Sequence, residues 1–145
     1  MNLQDIYESW EQDSKFERDL LTEETIKIPR LHSKYLRMLS EARLRLKKYE
    51  SDYKKLFRLK HEYYRGDLDK DTLKKMGWEQ NPLKILRQDL DMYIQQDEDI
   101  IELSTRISLQ KEKISLIESV MQQINNRGYQ IKSIIDWERF KEGLN

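Results

Sequence analysis

The sequence has no cysteine, so it can form neither a disulfide nor a thiolate metal site; that is compatible with an intracellular setting and leaves little scope for redox chemistry. Glycine (4) and proline (2) are scarce for 145 residues, which argues against a fold built from many turns. No stretch approaches the roughly 20 apolar residues of a membrane span, and Met1 to Leu20 carries charges throughout in place of a signal-like apolar block. A soluble, unsecreted protein is expected. Phosphate-cradling glycine loops and nucleophile elbows are missing too, and the two histidines, His32 and His61, read as helix-surface or seam residues. With no nucleophile, base and orienting group to assemble, the chain reads as a non-enzyme that needs no cofactor and no metal.

What is present is charge and helix formers. Hydrophobic residues make up 37% and charged residues an equal 37%. Such a chain has little apolar material for a self-contained core. Long helices need something to bury their apolar stripes against, so an oligomer is expected. The formal charge is zero overall but unevenly spread: net −5 over residues 1–29, +8 over 30–65 and −3 over 66–145. A continuous basic segment of this kind suggests a polyanionic partner.

The periodicity predicts an all-α fold of two long antiparallel helices with short helices at the N- and C-terminal ends. Leu3, Ile6, Tyr7 and Trp10 fall on one face of a first short helix. Thr22 can cap the next, where Pro29 is expected either to kink that helix or to mark a new first turn, the kink being favoured. From Ile28 to Tyr64, Tyr35, Leu39, Ala42, Leu46, Tyr49, Tyr53, Leu56, Lys60 and Tyr63 alternate four and three apart, a heptad seam on a helix about 50 Å long. Gly66 should stop it, leaving 67–81 as a connector with one helical turn around Thr72 to Met76.

A second long helix is expected from Pro82 to Asn125, with Leu83, Leu86, Leu90 and Tyr93 in one stripe. Leu103, Ile107, Gln110, Ile114, Ile117, Met121 and Ile124 form another. Between them Gln95-Gln96-Asp97-Glu98-Asp99 reads as a solvated break where the stripes change phase. Asn126-Arg127-Gly128 reads as a stop with Gly128 left-handed, and Gln130 to Glu142 as a final amphipathic helix. These elements group as 1–66, 67–81 and 82–145 within one domain. Asp67-Leu68-Asp69-Lys70-Asp71 starts like a calcium loop, but Thr72 stands where glycine is needed and Trp78 where the bidentate acid is needed.

The basic helix carries the functional signal. Between Lys54 and Arg65 five cations are interleaved with three aromatics, and Glu62 alone opposes them. Lys and Arg neutralise phosphates and release counterions, and tyrosine or phenylalanine rings stack on unpaired bases. Read from the residues alone, this is either the solvated face of a structural coiled-coil or adaptor protein, or a nucleic-acid interface. Lys60 sits in the apolar seam, where a cation costs stability unless it serves register or a ligand.

Two stretches resemble the UvsY family of phage recombination mediators. Leu56-Phe57-Arg58-Leu59-Lys60 followed by Glu62-Tyr63-Tyr64-Arg65-Gly66 is similar to that family's short basic DNA-binding motif and its Tyr-Tyr-x-Gly ending. More specifically, Ile124-x-x-Arg127-Gly128-Tyr129-x-Ile131-Lys132-x-Ile134-x-Asp136-x-x-x-Phe140-x-x-Gly143 resembles the family's C-terminal end. Together they cover about a quarter of the chain; Pro29 departs from the family's expected pattern.

The resemblance implies a ring-shaped homo-oligomer, a hexamer or heptamer, that binds single-stranded DNA. It further implies help in displacing the phage single-stranded DNA-binding protein and in loading the RecA-like recombinase UvsX, in the cytoplasm of an infected bacterial host. Arg58 and Lys60 would then contact phosphates, assisted by Lys54, Lys55, Tyr63, Tyr64 and Arg65. Ile124, Arg127, Gly128, Ile131, Ile134 and Phe140 would serve oligomerisation.

Overall fold

A computed structural model of the chain describes residues 1–81 and 85–143. Among these the chain is all-helical: α1 (Leu3–Asp13), α2 (Leu21–Arg65), α3 (Lys70–Met76), a 3-10 turn (Arg87–Asp89), α4 (Leu90–Gln95) and α5 (Glu98–Lys141). Two compact units are built from them, one from residues 1–44 and 111–145, the other from residues 45–110. Both long helices contribute to both units.

The first unit holds an aliphatic core. Ile6 of α1, Tyr35, Leu39 and Ala42 of α2, and Ile117, Val120 and Ile124 of α5 are buried together. The α1 end is fixed by a reciprocal cap: the Asp5 amide donates to Asn2 and the Asn2 amide to Asp5, each at 2.8 Å. Tyr35 meets Trp10 edge to face at 5.6 Å, and its hydroxyl donates to Asp13 at 2.8 Å. Burial and that bond raise the hydroxyl's pKa from 10.0 to about 12.

α2 begins one residue before Thr22, which therefore sits inside the first turn and is not the cap; Thr25 instead donates its hydroxyl back to the Leu21 carbonyl. The helix continues through Pro29 as a single element, with the two sides of the proline held by the rest of the 45-residue helix. It ends at Gly66, with φ of +79°, where the Asp67 amide donates to Glu62 and the Gly66 amide to Tyr63.

The expected start at Pro82 and the stripe residue Leu83 lie outside the described residues. Downstream, the single helix expected up to Asn125 is in fact two: α4 stops at Gln95 and α5 opens at Glu98. α5 then passes through Asn126-Arg127-Gly128 without stopping, so the expected left-handed Gly128 and separate final helix are corrected. The reason is burial. Ile117, Val120, Ile124, Arg127 and Ile131 keep a continuous buried stripe across the glycine, which outweighs its cost of about 0.5–1 kcal/mol in a helix interior.

Within each unit the two long helices run antiparallel. In the first, Glu24 pairs with Arg127 and Arg43 with Glu118; in the second, the Tyr49 ring meets Arg106 and Lys60 meets Asp99. The α2 number rises as the α5 number falls in both.

Candidate nucleic-acid interface

Residues 45–110 contain the basic stretch and its surroundings. Here α2 faces inward with Leu46, Tyr49, Tyr53, Leu56, Lys60 and Tyr63, all buried or half-buried as the heptad pattern requires. At 100° per residue the opposite face carries Lys47, Lys54, Arg58 and Arg65, all exposed and spaced seven, four and seven apart. They fall within a stripe about 40° wide that extends for about 27 Å along the helix axis. Lys48 and Lys55 flank it and are exposed too. Arg65 pairs with Asp67 at 3.2 Å, an ion pair between two half-exposed groups that an anion can exchange at little cost. Lys47, set one heptad before Lys54, extends the motif N-terminally; its outward heptad position was the signal available for it.

Lys60 has a different destination. The residue is 4% exposed, and its Nζ lies 3.1 Å from Asp97 Oδ2 and 2.7 Å from Asp99 Oδ2. The ammonium also sits 3.9 Å from the centre of the Trp78 ring. Asp97 is no solvated acid, as the sequence pattern suggests, but a buried cap. Its Oδ1 accepts the amides of Asp99 (2.9 Å) and Ile100 (3.2 Å) at the head of α5, and its Oδ2 accepts the Tyr64 hydroxyl at 2.6 Å. Burial alone would push this carboxyl up; hydrogen bonds from Tyr64, Lys60 and the Ile100 amide outweigh it and hold the pKa below its ordinary value. The same geometry, burial first and then the bond to Asp97, pushes the Tyr64 hydroxyl up.

Tyr63 and Tyr64, named for the DNA interface, have partners within the unit. Tyr63 donates its hydroxyl to the Glu79 carbonyl at 2.7 Å and lies 5.3 Å from Trp78 and 5.1 Å from Tyr64. Tyr64 also lies 6.0 Å from Tyr93. Trp78 is held there because α3 ends in a left-handed Gly77, with the Trp78 amide turned back onto the Leu73 carbonyl at 2.9 Å. The connector therefore closes over the end of α2.

In the other unit, the residues expected between subunits divide into two groups. Ile124, Arg127 and Ile131 are buried within the unit, whereas Phe140 is 66% exposed and stacks on exposed Trp137 at 5.7 Å. Ile134 is half-buried beside a groove with Phe16, and a Cβ added at Gly128 would meet nothing within 4 Å. Arg127 lies between Trp10 and Phe16. It donates to Glu24 at 3.3 Å and to the Ser14 carbonyl at 2.8 Å. Glu24 is fully buried; burial would raise its carboxyl, but bonds from Lys27 and the Glu17 amide, with the charges of Lys27 and Arg127, hold it below its ordinary value. Among the described residues no group of acids and histidines could hold a metal ion, and no helix is long and apolar enough to cross a membrane.

Three crystal structures of the recombination mediator protein UvsY of bacteriophage T4 share this fold. Lattice type II matches with a TM-score of 0.84 at 22% identity, over 98% of each chain. Lattice type IV matches at 0.84 and 22%, over 97% of this chain and 99% of that one, and lattice type I at 0.82 and 21%, over 94% and 98%. Comparison with curated protein sequences gives no match. Residues 9–144 match the family described as "Recombination, repair and ssDNA binding protein UvsY". With the family model matched over most of its length and the fold in agreement, this chain is a member of the UvsY family of recombination, repair and single-stranded DNA-binding proteins.

Proposed function

We propose that the chain is a recombination mediator that holds single-stranded DNA along the outward face of α2, helps displace a phage single-stranded DNA-binding protein and loads the recombinase UvsX. The stripe Lys47, Lys54, Arg58 and Arg65 supports this reading most directly, because four exposed cations share one helix face opposite the packed seam and, among the described residues, only Arg65 has an acid partner, in an exchangeable surface pair. Lys55 contributes from the flank. Tyr63 and Tyr64 serve the interface by shaping the end of the helix that presents it.

One chain offers few cations, so affinity depends on copies. Self-assembly into a hexameric or heptameric ring multiplies the stripe and converts weak individual attachments into an avid whole. The exposed Trp137 and Phe140 pair supplies the apolar surface for it, next to Ile134. Ile124, Arg127 and Ile131 shape that end of α5 from within, and Gly128 leaves its surface bare.

The test is a titration of a fluorescent oligo-dT at several salt concentrations. Replacing Lys47, Lys54 and Arg58 by alanine together is expected to weaken binding and to flatten the slope of log K against log salt by about 0.7 for each phosphate no longer neutralised per bound copy. Helicity and oligomer mass should stay as in the parent. An unchanged slope would assign this face to the solvated surface of a structural adaptor.

A further inference from the structure

Arg58 and Lys60 lie two residues apart in the basic motif, and two residues on a helix are about 200° apart. The structure sends them to opposite faces. Arg58 is exposed among the outward cations, while Lys60 is buried with two carboxylates within 3.1 Å of its ammonium and the Trp78 ring against it. Its charge is already matched by Asp97 and Asp99. A phosphate reaching it would have to displace both carboxylates and the indole, and would meet the negative charge those acids leave behind.

We propose that Lys60 is a positioning residue of the DNA interface and never meets a phosphate. It joins three pieces of this unit: the last turns of α2, the cap at the head of α5 and the connector through Trp78. Together with Tyr64 on Asp97 it sets the rotation of α2 about its axis, and so keeps Lys54 and Arg58 turned outward. Asp97 divides its oxygens between the two tasks, Oδ1 on the amides of α5 and Oδ2 on Lys60 and Tyr64. The role rests on the reading of the outward stripe as the DNA face.

Two measurements separate the outcomes. Reductive methylation with formaldehyde and cyanoborohydride, read by peptide mass spectrometry, attacks only an unprotonated and accessible amine. In the native protein Lys54 and Lys55 are expected to be methylated when free and to lose that reactivity on adding oligo-dT, while Lys60 resists in both states. Lys60 reactive in the free protein and shielded by oligo-dT overturns the positioning role alone. Lys54 and Lys55 equally reactive with and without oligo-dT overturn the DNA face, and the positioning role with it.

In the salt titration, Lys60→Met is expected to weaken binding with no change of slope, whereas Arg58→Met lowers the slope. Adding Asp97→Asn to Lys60→Met removes the stranded carboxylate while keeping an oxygen for the cap, and is expected to restore affinity towards the parent. Affinity that came from pairing with a phosphate could not be recovered that way. A slope reduced as much by Lys60→Met as by Arg58→Met overturns the proposal. Should Lys60→Met fail to fold, the methylation pattern of the native protein decides alone.

Discussion

Among the described residues two cations are buried, Arg127 in the unit formed by residues 1–44 and 111–145 and Lys60 in the unit formed by residues 45–110, and they are buried in different ways. Arg127 meets one carboxylate, Glu24, which is itself fully buried, and donates also to the carbonyls of Asp13 and Ser14 at the end of α1. Lys60 meets two carboxylates, one of them half exposed, and a ring. A guanidinium is a fork with five donors and can tie three chain segments at once; an ammonium is a point charge that two acids can neutralise. The first arrangement is a structural knot inside an aliphatic core. The second is a clamp inside a seam of half-buried tyrosines, on the side of α2 opposite the face proposed to hold DNA.

The sharpest way to break this comparison is to remove each cation in turn. Arg127→Met strands a buried Glu24 oxygen and two main-chain carbonyls, and should cost about 3–5 kcal/mol in urea unfolding followed by circular dichroism. Lys60→Met should cost less, about 2–3 kcal/mol, because Asp97 keeps Tyr64 and the α5 amides and Asp99 turns to solvent. Adding Glu24→Gln to Arg127→Met should recover a large part of the first loss. Equal losses for the two single variants would mean that the half-exposed Asp99 gives Lys60 no relief.

Acid should reveal the two carboxylates that serve those cations. Glu24 and Asp97 both titrate below their ordinary values of 4.5 and 3.8, so the stability they contribute is present above those values and is lost as pH falls through the lower folded ones. Urea midpoints are therefore expected to drop below about pH 4, and Glu24→Gln or Asp97→Asn each to flatten the drop. At the other end, the Tyr35 hydroxyl favours its neutral form in the fold. Its contribution is complete below pH 10 and is lost as pH rises through about 12, an effect that Tyr35→Phe removes.

The smallest effect concerns two glycines. Gly66 has φ of +79° and ends α2, so Gly66→Ala should lower thermal stability by about 1 kcal/mol. Gly128 lies inside α5 with ordinary helical φ and open space around its Cα. Gly128→Ala should therefore raise stability by about 0.5–1 kcal/mol in thermal melts. A decrease there, accompanied by a smaller sedimenting species, would show that a second copy approaches the bare backbone at that point.

Much of this is legible along the chain. The four-three spacing locates the inward residues of both long helices, from Tyr35 to Tyr63 and from Leu103 to Ile124, because one buried face of a helix is a local, periodic property. Gly66 and the short connector helix are legible for the same reason. What stays hidden depends on partners distant in sequence. Asp97 looks solvated because its cation lies 37 positions earlier, and a spacing pattern holds no record of that pairing. Gly128 looks like a stop because Asn-Arg-Gly commonly is one; the helix continues because the buried stripe runs on through Ile124, Arg127 and Ile131, with Arg127 held by Glu24 103 positions away. Lys60 stands out as a cation misplaced in an apolar seam, yet its neighbours alone do not say whether a nucleic acid or an internal acid balances it.

The division of the chain also bears on how it acquires its structure during synthesis. Residues 45–110 form an uninterrupted stretch, with ties such as Tyr63 to Glu79 closing loops of 16 residues, so this part can assemble as soon as it leaves the ribosome. The other part joins residues 1–44 to residues 111–145, and Arg127 must find a glutamate translated 103 residues before it. The aliphatic core around Ile6 and Ile124 thus closes only once Ile117, Val120 and Ile124 have been made, and until then α1 and α2 hold their share of it without the α5 side.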